Sequence, residues 1–250
     1  MGHKPNNPGK LSGVGIGPGD PEHITIKALK AIREADVLLL PAKSREECRA
    51  YKIAEEACHI FNKETGERSG SHISMKDKDC LFEPFPMKMD RKELDDFHLR
   101  IGSKVKSLLS EGKNVAFLTI GDPCIYSTFH YIESIVKEAG YETVWINGIP
   151  SYCASAGRLG ISLAQNKEII HIIPGSGDVQ AALLLDGTKV IMKPSRLGPE
   201  FREYLEEAQR NRGSEVYWVS ECGLEGERLA YNASDIPDDM GYMSVVVIRG

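Results

Sequence analysis

The chain has 250 residues, 41% hydrophobic and 27% charged, with a formal net charge of −5. That balance describes a globular protein long enough to bury a core in one large domain or two small ones. It disfavours a dedicated nucleic-acid binder, because a polyanion meets net repulsion, and no apolar run reaches the roughly 20 residues that span a bilayer. Six cysteines (Cys48, Cys58, Cys80, Cys124, Cys153 and Cys222) contain no Cys-x-x-Cys pair. With no signal sequence at the start, they predict free thiols and a cytoplasmic location, and give little support to structural zinc.

Residues 1–10 are polar, include two prolines and are expected to form a disordered tail. Leu11 to Ile16 predicts a strand that feeds a glycine-rich turn. Pro21 to Ala35 predicts a helix, with Asp20 as N-cap, Pro21 at the first position, and Ile24, Ala28, Leu29 and Ile32 on one face. Asp36 to Pro41 is apolar enough for a buried parallel strand. Arg45 to Phe61 predicts a second helix, and Asn62 to Asp79 a mobile polar surface excursion. Phe82 to Met89 is broken by Pro84 and Pro86, so a strand there is irregular or at an edge. Asp90 to Glu111 predicts a helix capped by Asp90 and stopped by Gly112. Asn114 to Ile120 and Glu142 to Ile146 predict strands flanking a helix from Ile125 to Ala139. The alternation implies a parallel sheet with helices on its faces.

The pattern changes near residues 148–151. Pro150 and Ser151 open a helix over Tyr152 to Leu159. Ile169 to Ile173, Lys189 to Met192, Glu215 to Val219, Leu229 to Ala233 and Tyr242 to Ile248 predict strands, with one helix from Phe201 to Asn211. Few helices among many strands suggest a mixed or antiparallel sheet. The expected fold class is therefore α/β, in two α/β domains covering residues 11–149 and 150–250. The first would hold a mostly parallel sheet and the second a mixed one.

Two loops invite a ligand. Gly13-Val14-Gly15-Ile16-Gly17-Pro18-Gly19-Asp20 fails the dinucleotide fingerprint in both registers, since the third glycine falls on Pro18 or on Asp20. Its bare backbone admits a close ligand, or simply a compact turn. Gly121-Asp122-Pro123 ends a predicted buried strand, the edge where open α/β sheets bind ligands. Asp122 could accept from a ligand there, or cap the next helix. His23, His59, His72, His98 and His171 show no metal-ligand spacing, and no protein-held metal is predicted.

The blocks Gly13–Glu22, Ala35-Asp36-Val37, Gly121-Asp122-Pro123-Cys124-Ile125-Tyr126-Ser127-Thr128 and Asn147–Ala156 resemble the tetrapyrrole methylases, in the family's order. Leu118–Pro123, Tyr126–Phe129, and Ile149-Pro150-Ser151 followed by Ala156–Gly160, are most similar to the branch that methylates carbon 20 of precorrin-2 or cobalt-precorrin-2 in cobalamin biosynthesis. The resemblance implies two α/β domains with an active-site cleft between them, a homodimer, and S-adenosylmethionine as cofactor. It implies that Asp122, Ile125, Tyr126, Ser127, Thr128, Ser151, Tyr152, Met192, Cys222 and Tyr242 surround that cofactor. Pro18, Gly19 and Asp20 would face the tetrapyrrole. Arg158, Lys193 and Arg196 are candidates to meet its carboxylates.

Methyl transfer from a sulfonium is an in-line displacement, so placement matters more than an acid–base pair. His130 is a candidate acceptor for the proton the ring must lose. Any cobalt would arrive inside the substrate. Two other readings stay open: a methylase of the same fold acting elsewhere on the macrocycle or on a modified histidine, as diphthine synthase does, and a non-catalytic nucleotide-binding module.

Overall fold

A computed structural model describes residues 7–66, 72–85, 90–198 and 200–250, and the side chain of Arg196 lies outside the described set. The chain divides after Ile149 into two compact units.

The first unit is a five-stranded parallel sheet. Its strands are β1 (Leu11–Gly15), β2 (Val37–Leu40), β3 (Asp79–Phe82), β4 (Val115–Thr119) and β5 (Thr143–Ile146), in the order β3-β2-β4-β1-β5. Every pairing is parallel. All residues of β1 and β2 are buried, as expected of strands covered on both faces. The helices are α1 (Ile26–Glu34), α2 (Arg49–Thr65), α3 (Arg91–Ser110) and α4 (Phe129–Glu138). Leu11, Leu39 and Phe117 of the strands meet Ile101, Val105 and Leu109 of α3 and Phe129, Ile132 and Val136 of α4 in one apolar cluster.

Local sequence explains most boundaries and corrects some. Asp20 does cap a turn, accepting from Glu22 N–H at 2.9 Å, but only a short 3₁₀ turn over Pro21–His23. Thr25 then adopts an extended backbone and accepts from Ala28 N–H, so α1 starts at Ile26 and Ile24 falls outside it. Asp90 and Glu93 form a reciprocal capping box that starts α3 where the sequence placed it. The expected tail to residue 10 is too long. Gly9 is buried and donates to Leu109 O at 2.9 Å, while residues 1–6 lie outside the described set.

The expected excursion over 62–79 is ordered where it is described. Asn62 pins Ile73 with two hydrogen bonds of 2.9 Å, and Ile73 and Met75 are buried. Lys78 Nζ donates to Arg33 O and Ala35 O, each at 2.6 Å, and caps the carboxyl end of α1. The edge strand β3 overlaps the predicted 82–89 segment only at Phe82, and residues 86–89 are outside the described set.

The second unit holds β6 (Ile170–Pro174), β7 (Thr188–Met192), β8 (Glu215–Ser220), β9 (Arg228–Ala230) and β10 (Ser244–Arg249), in the order β6-β7-β10-β8-β9. Only β6 and β7 pair in parallel, so the sheet is mixed. Helices α5 (Ser151–Leu159), α6 (Val179–Leu183) and α7 (Glu200–Arg212) accompany it. Trp218, Phe201, Leu205, Ile191 and Val246 centre its core. The short α6 was not legible as a helix: it is one turn long, capped by Asp178. The predicted strand over 229–233 stops at Ala230, because Ala233–Asp235 turns into a 3₁₀ helix.

Candidate active site

In the first unit the chain leaves β1 toward one side of the sheet and leaves β4 toward the other. These adjacent carboxyl ends therefore form a topological switch point, the usual ligand edge of such a sheet. The glycines of the first loop are consumed by the protein itself. A Cβ on Gly13 would lie 2.3 Å from the Phe129 ring, and one on Gly15 would lie 2.5 Å from Gly148 N. A Cβ on Gly148 would lie 2.2 Å from Gly121 O. At Gly15, Gly121 and Gly148 the chain packs backbone on backbone, while Gly13, inside β1, makes room for the Phe129 ring.

Asp122 does not cap α4, which begins at Phe129. Its carboxylate is 6% exposed and accepts three hydrogen bonds, from Cys124 N–H at 2.7 Å, Asn147 Nδ2 at 3.1 Å and Gly148 N–H at 3.1 Å. The helix-cap alternative is thus overturned, and within the protein the carboxylate ties the β5 loop to the β4 turn. The segment after it is a turn, not the first part of the predicted helix. Tyr126 sits there at φ +47, a left-handed conformation that strains a bulky residue. Ser127 Oγ lies 3.2 Å from Thr119 Oγ1 and accepts from Phe129 N–H at 3.2 Å, so Ser127, not Thr128, satisfies the start of α4. Ile125 and Thr128 are half-buried, while Pro18 and Gly19 are buried and Asp20 is half-buried. His130 lies exposed on α4, its ring 6.5 Å from that of Trp145.

In the second unit β7 and β8 both run antiparallel to β10, and β6 runs parallel to β7, so β6, β7 and β8 end at one edge. Met192, Lys193, Cys222 and Tyr242 gather there. Met192 and Cys222 are buried and Tyr242 is exposed, with Lys193 Nζ 5.4 Å from its ring centroid. Lys193 N–H donates to Ser244 O at 3.1 Å, and Glu221 N–H to Met243 O at 2.8 Å. Lys193 and Glu221 both hold positive φ, at +57 and +52. Strain of this type persists where the surroundings over-determine it, frequently at ligand clamps.

Glu221 and Gly175 are absent from the sequence candidates. Gly175 N–H donates to Met192 O at 2.7 Å, and a Cβ there would lie 2.4 Å from Lys193 O. A glycine directly after a strand was the one available signal; nothing local marks Glu221. Ser151 and Tyr152 form the first turn of α5, and one turn on, Ser155 Oγ is buried without a hydrogen-bond partner among the described residues.

Arg158, an expected substrate cation, is paired within the second unit. Its guanidinium Nε donates to Glu227 Oε1 and Oε2 at 2.9 and 3.0 Å, and a terminal nitrogen also contacts the same carboxylate. Glu227 accepts from Gly223 N–H as well. That bidentate partner holds the Glu227 carboxyl below its usual range, helped by the Gly223 bond. Arg196 lies in a 3₁₀ turn over Pro194–Arg196, and its side chain is outside the described residues.

The family model of the Tetrapyrrole (Corrin/Porphyrin) Methylases matches residues 10–236. The chain belongs to this family. Among curated relatives, it is 33% identical over 96% of both chains to a Methanocaldococcus jannaschii protein named "Probable cobalt-precorrin-2 C(20)-methyltransferase". It is 26% identical to the precorrin-2 C(20)-methyltransferase of a Sinorhizobium species, over 97% of this chain and 96% of that one.

Two solved structures share the tetrapyrrole methylase fold. One is a cobalamin biosynthetic enzyme, cobalt precorrin-4 methyltransferase, with a TM-score of 0.69 at 20% identity, covering 96% of this chain and 94% of that one. The other is uroporphyrin-III C-methyl transferase from Thermus thermophilus complexed with S-adenyl homocysteine, with a TM-score of 0.63 at 17% identity, covering 96% and 97%. At those identities the likeness speaks to fold alone. Among the described residues of this tetrapyrrole methylase, no helix is long and apolar enough to cross a membrane.

Proposed function

We propose that this tetrapyrrole methylase is an S-adenosylmethionine-dependent C-methyltransferase that methylates carbon 20 of precorrin-2 or cobalt-precorrin-2 in cobalamin biosynthesis. One observation carries the reading: relatives aligned over nearly their whole length with nearly the whole of this chain bear that C20 name. We further propose a cytoplasmic homodimer; sedimentation at micromolar concentration would test the dimer, and fractionation of cells the location.

The residues present suit the cofactor. The proposed contacts in the first unit are Ile125, Tyr126, Ser127, Thr128 and the turn at Asp122. Those in the second are Ser151, Tyr152, Met192, Cys222 and Tyr242. They supply aromatic and apolar surface for an adenine, together with hydroxyls and main-chain groups for polar atoms. All but Asp122 are neutral, and that carboxylate is already engaged by three protein donors. A neutral set can admit a sulfonium without stabilising its charge so strongly that the barrier rises.

When bound, the cofactor supplies a methyl group activated by the positive sulfur. The chain's part is to orient the acceptor carbon opposite that sulfur. Good alignment at about 3–3.5 Å contributes several kcal/mol to lowering the barrier. Lys193 is the proposed cation for the tetrapyrrole carboxylates in the second unit, with the buried Pro18–Gly19 segment and Asp20 as substrate-side residues in the first. Methyl transfer from labelled S-adenosylmethionine to precorrin-2 and to cobalt-precorrin-2, assayed side by side, tests the reading. Labelled product from either supports it; no product from folded, cofactor-binding protein overturns the C20 assignment.

A further inference from the structure

We propose that Asp122 and Asn147 form a positioning pair, acting on cofactor affinity through the loops they join and not through side-chain contact with the cofactor. The inference rests on the S-adenosylmethionine reading above.

Asp122 is 6% exposed, and its two carboxylate oxygens already take three protein donors. Two of those donors, Asn147 Nδ2 and Gly148 N–H, come from the loop after β5. The strand β1 lies between β4 and β5 in the sheet, so the bonds reach across the end of β1. They press Gly148 onto Gly15 and onto the carbonyl of Gly121, leaving no room for a Cβ at either glycine. Asn147 O also accepts from Thr25 Oγ1 at 3.4 Å, and Thr25 is the cap of α1.

One carboxylate therefore sets the relative height of the loops after β1, β4 and β5, and Asn147 links them to the start of α1. The residue type follows from the partners. All three neighbours are donors, and only a carboxylate accepts at both oxygens; an amide would turn its NH₂ toward at least one N–H. A buried charge so enclosed is tolerable because it is hydrogen-bonded throughout.

The test is titration of S-adenosylhomocysteine into the full chain and into Asn147→Ala, Asp122→Asn and the double variant, with thermal midpoints alongside. Asn147→Ala keeps the Cys124 and Gly148 bonds, so it retains the fold even if Asp122→Asn does not. The expected result is a loss of affinity of about tenfold in Asn147→Ala, within the coupling range for contacting residues. Asp122→Asn should lose at least as much, and the double variant no more than the worse single. Two results overturn the pair: unchanged affinity in Asn147→Ala with loss in Asp122→Asn, which marks direct contact, or lowered midpoints in both with unchanged affinity, which marks a purely structural role. Failure of the unsubstituted protein to bind at all removes the cofactor reading itself, and the positioning role with it.

Discussion

Gly17 and Gly121 exchange two main-chain hydrogen bonds, Gly121 N–H to Gly17 O at 2.8 Å and Gly17 N–H to Gly121 O at 3.3 Å. Both residues hold positive φ, at +81 and +78, so each glycine is required by the other's geometry. This isolated bridge fastens the loop after β1 to the turn after β4.

The same crowding predicts a graded series of glycine substitutions. Gly121→Ala should cost about 1–2 kcal/mol through left-handed strain. Gly148→Ala should cost more, because its Cβ would stand 2.2 Å from a carbonyl oxygen that cannot yield without moving the backbone. Gly157 is the control: it lies inside α5 with open space around its Cβ position. Gly157→Ala should stabilise by about 0.5–1 kcal/mol. Urea midpoints decide, and a Gly148→Ala protein as stable as the parent would contradict the packing.

The start of α3 should be weakened by one substitution. Asp90 accepts from Glu93 N–H at 2.8 Å, and Glu93 reaches back to Asp90 N–H. Asp90→Ala should cost about 1 kcal/mol. Asp90→Ser, which can still cap, should recover most of it, as read by thermal unfolding.

His98 makes stability depend on pH. Its ring stacks on Tyr131 at 4.5 Å, faces Phe85 and Phe97, and leaves Nε2 buried without a hydrogen-bond partner among the described residues. Burial pushes its pKa down, opposed in part by Asp95. The folded state then binds fewer protons than the unfolded state at mildly acid pH. Stability from this site is full above the ordinary histidine value of about 6.5 and declines as the pH falls through it. His98→Phe should flatten that part of the profile in urea unfolding between pH 7.5 and 5. An unchanged slope would rule out His98 as the source.

Arg158 should report on stability before substrate. Its side chain is half-exposed while that of Glu227 is largely covered. The pair is expected to contribute about 1 kcal/mol or less. Because the Glu227 pKa is depressed, that contribution is present above the ordinary carboxylate range and is lost as the pH falls through the lowered value. Glu227→Gln should therefore reduce acid sensitivity below the ordinary glutamate range. If Arg158→Ala raises the KM for tetrapyrrole more than tenfold at unchanged stability, the expected substrate role returns and the ion pair is secondary.

Local pattern by itself determined most of the element order of this protein, though not the short α6 or the place of β3. The buried run Val37–Leu40, the capped helix after Asp90 and the alternation of strands with helices up to residue 149 follow from periodicity, caps and turn residues, each set within a few residues of chain. The ordered blocks around Gly13–Asp20 and Gly121–Thr128 also sufficed to mark the family. Tertiary contact alone decided what those blocks do. Asp122 reads as a cap or a ligand contact until Asn147 and Gly148, distant in sequence, arrive as its donors. Arg158 reads as a free cation until Glu227 folds against it. The left-handed backbones of Lys193 and Glu221 carry no local signal, because main-chain bonds to Ser244 and Met243 hold them there. Hydrogen bonds across large sequence separations are set by the sheet order, and no window along the chain contains them.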